Sequence, residues 1–331
     1  MSDGHEDPGL HGGHHHPVVE AMEPPRRWSR ARIAIQVLGF LICLGLLGFT
    51  IHLATTGDNA QQFRTMLQAP PGWLLALLAC SGLSIVLNGL MFWVVLLPHR
   101  RLNAVDVVAT NAIATFMALL PFKLGLLVRG LIHHRRDQVP FKLLLGWFAA
   151  MSALGLAVVL PMGAAGLWRG RVDTWWWVVA IAGPLLCTGT GVVCGRLAGR
   201  FPILSRLSMG ADMIVRDVPT VVRHYLIRMM DVALLAGRFL IAGHILGHDM
   251  TLDQAILVGT TYFLLSVLAP TGTLGAREAG TAGIGLVQGL DVAGVALLVS
   301  VAETLAAGAL GGAGAWRLRL DRLLARRNRG A

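Results

Sequence analysis

Charge is what this sequence has least of. Only 14% of its 331 residues are Asp, Glu, Lys or Arg, while 55% are apolar. Such a chain cannot present a soluble surface. Cysteine is scarce too. Cys43, Cys80, Cys187 and Cys194 fall inside or at the ends of apolar runs, with no CxxC or Cys/His spacing. That argues against a disulfide framework or a zinc site and leaves them as small packing residues. Paired carboxylates, a DxD motif and a nucleotide-binding loop are also missing, and His133-His134 sits in a basic loop suited to headgroup contact. No enzyme, cofactor, metal site or ATP-driven step is therefore expected.

What is present is apolar sequence gathered into runs. Ile33 to Ala54 carries no acid or base except His52, and Gly72 to Leu97, Leu143 to Leu167 and Thr174 to Gly195 carry none. A helix needs about 20 such residues to cross ~30 Å of hydrocarbon. The first run, preceded by Arg26, Arg27, Arg30 and Arg32, exceeds the ~7–15 apolar residues of a signal peptide and reads as an uncleaved span. A net charge of +10 suits cytoplasmic loops lying against anionic headgroups, so a membrane-lipid partner is expected and nucleic acid is not. Residues 1–30 read as a disordered, His-rich cytoplasmic tail, 31–316 as the transmembrane domain and 317–331 as a basic cytoplasmic tail.

Two stretches break in mid-run. Pro121, with Gly125 shortly after, interrupts the apolar sequence of 104–132. Pro270, Gly272 and Gly275 interrupt that of 254–290. Proline removes a helix donor and glycine loosens the next turn, so each region is either one kinked span or a hairpin that enters and leaves on one side. Basic residues decide. With two hairpins and a cytoplasmic N-terminus, 20 Lys and Arg lie inside and 3 outside; with two single spans the split falls to 14 and 9. Positive charge favours the inside. In addition, Phe122 to Ile132 would span only ~17 Å as helix.

The expected architecture is all-α: six full transmembrane helices plus two re-entrant broken-helix hairpins. Halves of about 33–167 and 174–316 are arranged as an inverted repeat, in a cell (inner or plasma) membrane with both termini cytoplasmic. An amphipathic stretch with Ile203, Leu207, Ile214, Val218 and Val221 at helical spacing is expected to lie in the headgroup layer, as is 316–329.

The remaining basic residues, Lys123, Arg129, Arg228, Arg238 and Arg277, all lie within apolar stretches, together with Asp231, Glu278 and Glu303. Charge at membrane depth needs a partner or a function. Arg228 reads as near the membrane edge, and Arg277 and Glu278 as neighbours that point different ways. Glu303 can reach Arg238 or Arg277 from another helix. Helices restarting after Pro121 and Pro270 present positive dipole ends to a cavity, and the added cations make an anion site, with phosphate its natural occupant.

Asn111, then Leu120-Pro121-Phe122-Lys123-Leu124-Gly125, Arg129 and Val139-Pro140, resembles the first signature of the flippase-like family that includes the transmembrane region of lysylphosphatidylglycerol synthases. Pro270-Thr271-Gly272-Thr273-Leu274-Gly275-Ala276-Arg277-Glu278 resembles its second. The first departs from the family in having Lys123 for Arg and Leu126 for Glu. The resemblance covers about 30–320 and implies translocation of anionic or polyprenyl-linked lipids between leaflets, without the synthase domain. Headgroup contacts are expected at Asn111, Lys123, Arg129, Arg238, Arg277, Glu278 and Glu303. Two alternatives stay open: a non-transporting partner or regulator of envelope lipid synthesis, and a lipid-linked transferase.

Overall fold

Long apolar sequence with polar residues at its edges folds here as helix after helix. The computed structural model describes residues 30–55, 65, 68–120, 123–201, 203, 206, 208, 210–268 and 273–319, and no strand occurs among them. In chain order come α1 (Arg30–Thr55), α2 (Pro71–Leu96), α3 (Ala104–Met117), α4 (Leu124–Arg135), α5 (Phe141–Arg169) and α6 (Thr174–Ala198). The second half adds α7 (Ala211–Val215), α8 (Val218–Ile245), α9 (Leu252–Leu268), α10 (Ala276–Val287) and α11 (Ala293–Leu318). Polar side chains set several starts. Asn103 accepts from the Val105 N–H, Asp173 from Trp176 and Asp217 from Thr220, each relieving a helix N–H that has no partner in its own helix.

Helices α2, α5, α6 and α11 are long and apolar enough to cross a membrane. α3, α9 and 37–53 within α1 are shorter apolar pieces. Bulky apolar side chains also face outward, among them Leu38, Leu41 and Phe49 on α1 and Trp175, Ile181, Leu185 and Leu186 on α6. Lipid tolerates that surface and water does not. The protein is a multi-pass, all-helical membrane protein. The tails at 1–29 and 320–331 lie outside the described residues, as do Pro121, Pro270 and Gly272.

The described residues of 203–221 do not form one surface helix. α7 lasts five residues and gives way at Asp217 to α8. Ile214 and Val221 are buried and join an apolar core beneath α5 and α6. Packing against those helices removes more apolar surface than lying flat among headgroups would, and it overrides the amphipathic pattern.

Two pairs of helices double back. At one end of the bundle, Asp106 in the first turn of α3 accepts from Arg136 just past α4, at 2.8 Å, and from Arg317 at the end of α11, at 2.9 Å. α3 and α4 are thus two legs of a hairpin whose ends meet. The α9–α10 pair opens at the other end, where the first turns of α9 pack on the last turns of α5, Gly166 lying beside Leu257 and the Asp253 carbonyl. The tips touch: Thr273, just before α10, donates to the Ala118 carbonyl at the end of α3, at 3.3 Å.

Two large cores dominate the apolar packing, beside three small clusters. One takes Leu77 of α2, Val158 to Ala165 of α5 and Val232 to Ala242 of α8. The other takes Met91 to Leu96 of α2, Leu144 to Leu154 of α5 and Val221 of α8. Between them the same helices carry Asn88, Gly155 and Arg228, which line a cavity of about 360 Å³ at the hairpin tips.

Candidate functional site

The first tip places its cations through backbone geometry. Gly125 starts α4 so close to α3 that a Cβ there would lie 2.2 Å from the Ala114 carbonyl oxygen, so only glycine allows the reversal. Lys123, the residue that caps α4, takes a left-handed conformation (φ 49°) and stays exposed on the cavity wall. A non-glycine residue there stores strain of about 1–2 kcal/mol. One turn into α4, the Arg129 guanidinium donates to Asn111 Oδ1 at 2.5 Å and lies 3.7 Å from the centre of the Phe92 ring. Asn111 is itself pinned to the Ile85 carbonyl at 2.7 Å. The Nε of Arg129 is buried with no hydrogen-bond partner.

The second tip is organised differently. Arg277, only 2% exposed, donates to Glu278 at 2.8 Å, to Ser300 at 3.0 Å and to Glu303 at 3.2 Å. Its guanidinium carbon sits 4.7 Å from the Tyr262 ring centre. Arg277 and Glu278 therefore do not point apart. Both turn inward at the start of α10, where the Ser300 hydroxyl also donates to Glu278, at 2.5 Å. The other Glu278 oxygen accepts from the Gly275 N–H at 2.5 Å. The positive end of α10 is thus occupied by its own glutamate and does not face the cavity as a vacant anion site. Gly275 has φ 87°, and a Cβ there would meet the Cys43 carbonyl of α1 at 1.8 Å.

Glu303 on α11 bridges the remaining cations, accepting from Arg277 and, at 3.4 Å, from Arg238 on α8. It lines the main cavity and an adjoining one of about 140 Å³. Arg228 is not on the outer surface of the bundle. It is 3% exposed, lines the cavity between the two cores and pairs with Asp231 at 2.8 Å. The other Asp231 oxygen accepts from Ser84 at 2.6 Å. The pair escaped the sequence reading, although a spacing of three residues, about one helical turn, is the signal that could have found it. The parts played by Ser84, Tyr262 and Ser300 were not readable, because a lone hydroxyl in an apolar run gives no signal before its neighbours are known.

Of the residues expected at a headgroup site, Lys123, Arg129, Arg277 and Glu303 line the main cavity, and Arg238 lines the adjoining one. Asn111 and Glu278 stand behind them as buried supports at 1% and 0% exposure. A family model, the lysylphosphatidylglycerol synthase TM region, matches residues 36–312. The chain belongs to that family. Neither a curated protein nor a solved structure matches it. Leu126 stands exposed on the cavity wall, and α4 carries no carboxylate to oppose Lys123 or Arg129.

Proposed function

We propose that the protein moves an anionic or polyprenyl-linked lipid between leaflets of the cell membrane, without catalysing a reaction of its own. The α3–α4 and α9–α10 hairpins act as re-entrant pieces from opposite faces among six full spans, an inverted repeat with both termini cytoplasmic. The single observation that carries the reading is the cavity where the two hairpin tips meet, with Lys123 and Arg129 on its wall and no carboxylate bonded to either among the described ion pairs. Irregular backbone at membrane depth survives where it lines a wet cavity, and cations there invite a phosphate. The acyl chains stay in lipid while the headgroup passes the tips.

The test is reconstitution. Purified protein in phosphatidylcholine vesicles should move fluorescently labelled phosphatidylglycerol between leaflets faster than protein-free vesicles. Arg129→Ala and Lys123→Ala should each slow it about tenfold, the loss of one charge-assisted contact. Equal rates in wild type, variants and empty vesicles would overturn the reading and favour a non-transporting partner of envelope lipid synthesis.

A further inference from the structure

The three carboxylates nearest the cavity are held in unequal ways. Glu278 is 0% exposed and accepts bonds of 2.8, 2.5 and 2.5 Å from Arg277, Ser300 and the Gly275 N–H. The Asp231 side chain is 7% exposed and accepts bonds of 2.8 and 2.6 Å. Glu303 differs. Its side chain is 18% exposed, and its three contacts, with Arg277, Arg238 and Tyr262, are 3.2, 3.4 and 3.3 Å long. Charge-assisted bonds normally lie near ~2.7–2.9 Å. Arg238, for its part, has a buried Nε without a partner. Glu303 is therefore the loosely held, cavity-facing acid, and it sits against a cation that is not satisfied.

Charge sharpens the point. Lys123 and Arg129 at the first tip make two positive charges with no acid bonded to them among the described residues. At the second tip Arg238 from α8 and Arg277 from α10 are balanced by Glu278 and Glu303, with Tyr262 from α9 and Ser300 from α11 neutral. The Arg228–Asp231 pair beside them is neutral as a unit. A phosphate leaving the first tip for the second thus moves from a cationic wall to one with no net charge. It would share Arg238 and Arg277 with a carboxylate of its own sign. Taking those cations strips Glu303 of its counter-charge and sets an anion beside it, and both changes favour the protonated acid.

Resting on the translocation reading, we infer that Glu303 is a proton-binding site through which one proton accompanies each anionic headgroup past the hairpin tips. The proton comes from water on the side the headgroup enters, adds to the Glu303 carboxylate and frees Arg238 and Arg277 for the phosphate. When the headgroup leaves, the carboxylate takes back its arginines and the proton goes to water on the far side. Lipid and proton travel together, and no net charge crosses the membrane.

Vesicles holding the full-length protein, labelled phosphatidylglycerol and a lumenal pH dye test this. With the outside more acid by one unit, the label should gather in the inner leaflet by about tenfold, as one-to-one coupling requires. Dissipating the pH difference should return it to an even distribution, and an imposed membrane potential alone should not shift it. Glu303→Gln, uncharged throughout, should let the label equilibrate evenly whatever the gradient, while Glu303→Asp keeps the response. Even distribution in wild-type vesicles under a gradient, with label moving and the dye silent, overturns the coupling and leaves translocation intact. No movement of label with or without a gradient overturns both. If Glu303→Gln does not fold, the wild-type distribution and dye signal decide alone.

Discussion

The two hairpins carry similar residues and use them in opposite ways. At the α9–α10 tip the charges face one another: Arg277 is bonded to two glutamates and a serine, and Glu278 caps the helix it belongs to. At the α3–α4 tip the charges face the cavity. Lys123 is exposed, and Arg129 is steadied by an amide and an aromatic ring, neither of which neutralises it. A buried charge with its partners fixed is a structural joint, because removing either side strands the other. A charge held by neutral groups keeps its field for a ligand. The second hairpin is thus the frame against which the first presents its cations, and Glu303 is the point where that frame faces the cavity.

The largest effect should come from breaking the joint. Arg277→Ala leaves Glu278 buried with no cation, and Glu278→Ala leaves the start of α10 uncapped and Arg277 short of a partner. Each is expected to lower stability by about 3–5 kcal/mol, the cost typical of stranding one half of a buried pair. Thermal unfolding in detergent measures it. Arg129→Ala should lose less, about 1–3 kcal/mol for the unsatisfied Asn111 carbonyl. Were Arg129→Ala to unfold the protein as readily as Arg277→Ala, the division between frame and receiver would fail.

Next in size is a substitution that separates stability from function. Lys123 holds a left-handed backbone that glycine adopts without strain. Lys123→Gly should therefore stabilise the protein by about 1 kcal/mol and yet slow lipid movement about tenfold. A gain in stability with transport unchanged would show that Lys123 is only a strained turn residue.

Much of this arrangement was legible in the sequence, and its limits are physical. Apolar runs interrupted near Gly125 and Gly275 identified the two breaks, because few residues permit such backbone. Lys123, Arg129, Arg228 and Arg277, marked in the sequence as charges within apolar stretches, line the cavity, because charge in such sequence is expensive without a partner or a role. Partnership was harder to read. Neighbours in sequence point about 100° apart on a helix, so Arg277 and Glu278 were expected to diverge; at the first turn of α10 both reach inward, since the glutamate bends back to cap the helix. The 203–221 pattern looked amphipathic because half of it is. Ile214 and Val221 meet the core beneath α5 and α6 while Ile203 and Val218 stay exposed, and periodicity does not say which apolar surface a helix face will meet.

The smallest effect should be found where the first hairpin is tied at its mouth. Asp106 precedes the apolar part of α3, and its side chain is 22% exposed. Burial raises its carboxyl, but hydrogen bonds and charge from Arg136 and Arg317 outweigh this and hold it below its ordinary value of 3.8. A carboxylate lowered on folding contributes stability that is fully present above that ordinary value and is lost as pH falls through the lower, folded one. Asp106→Asn should therefore cost about 0.2–1 kcal/mol at neutral pH, the range of exposed ion pairs, and less with added salt. Wild type and variant should converge on acidification below about pH 4. The buried joint of Arg277 and Glu278, remote from solvent, should show no such salt dependence, so high salt ought to loosen the α3–α4 mouth while leaving α9–α10 protected in hydrogen exchange. Equal loss of protection in both hairpins would mean that they are held by the same kind of contact.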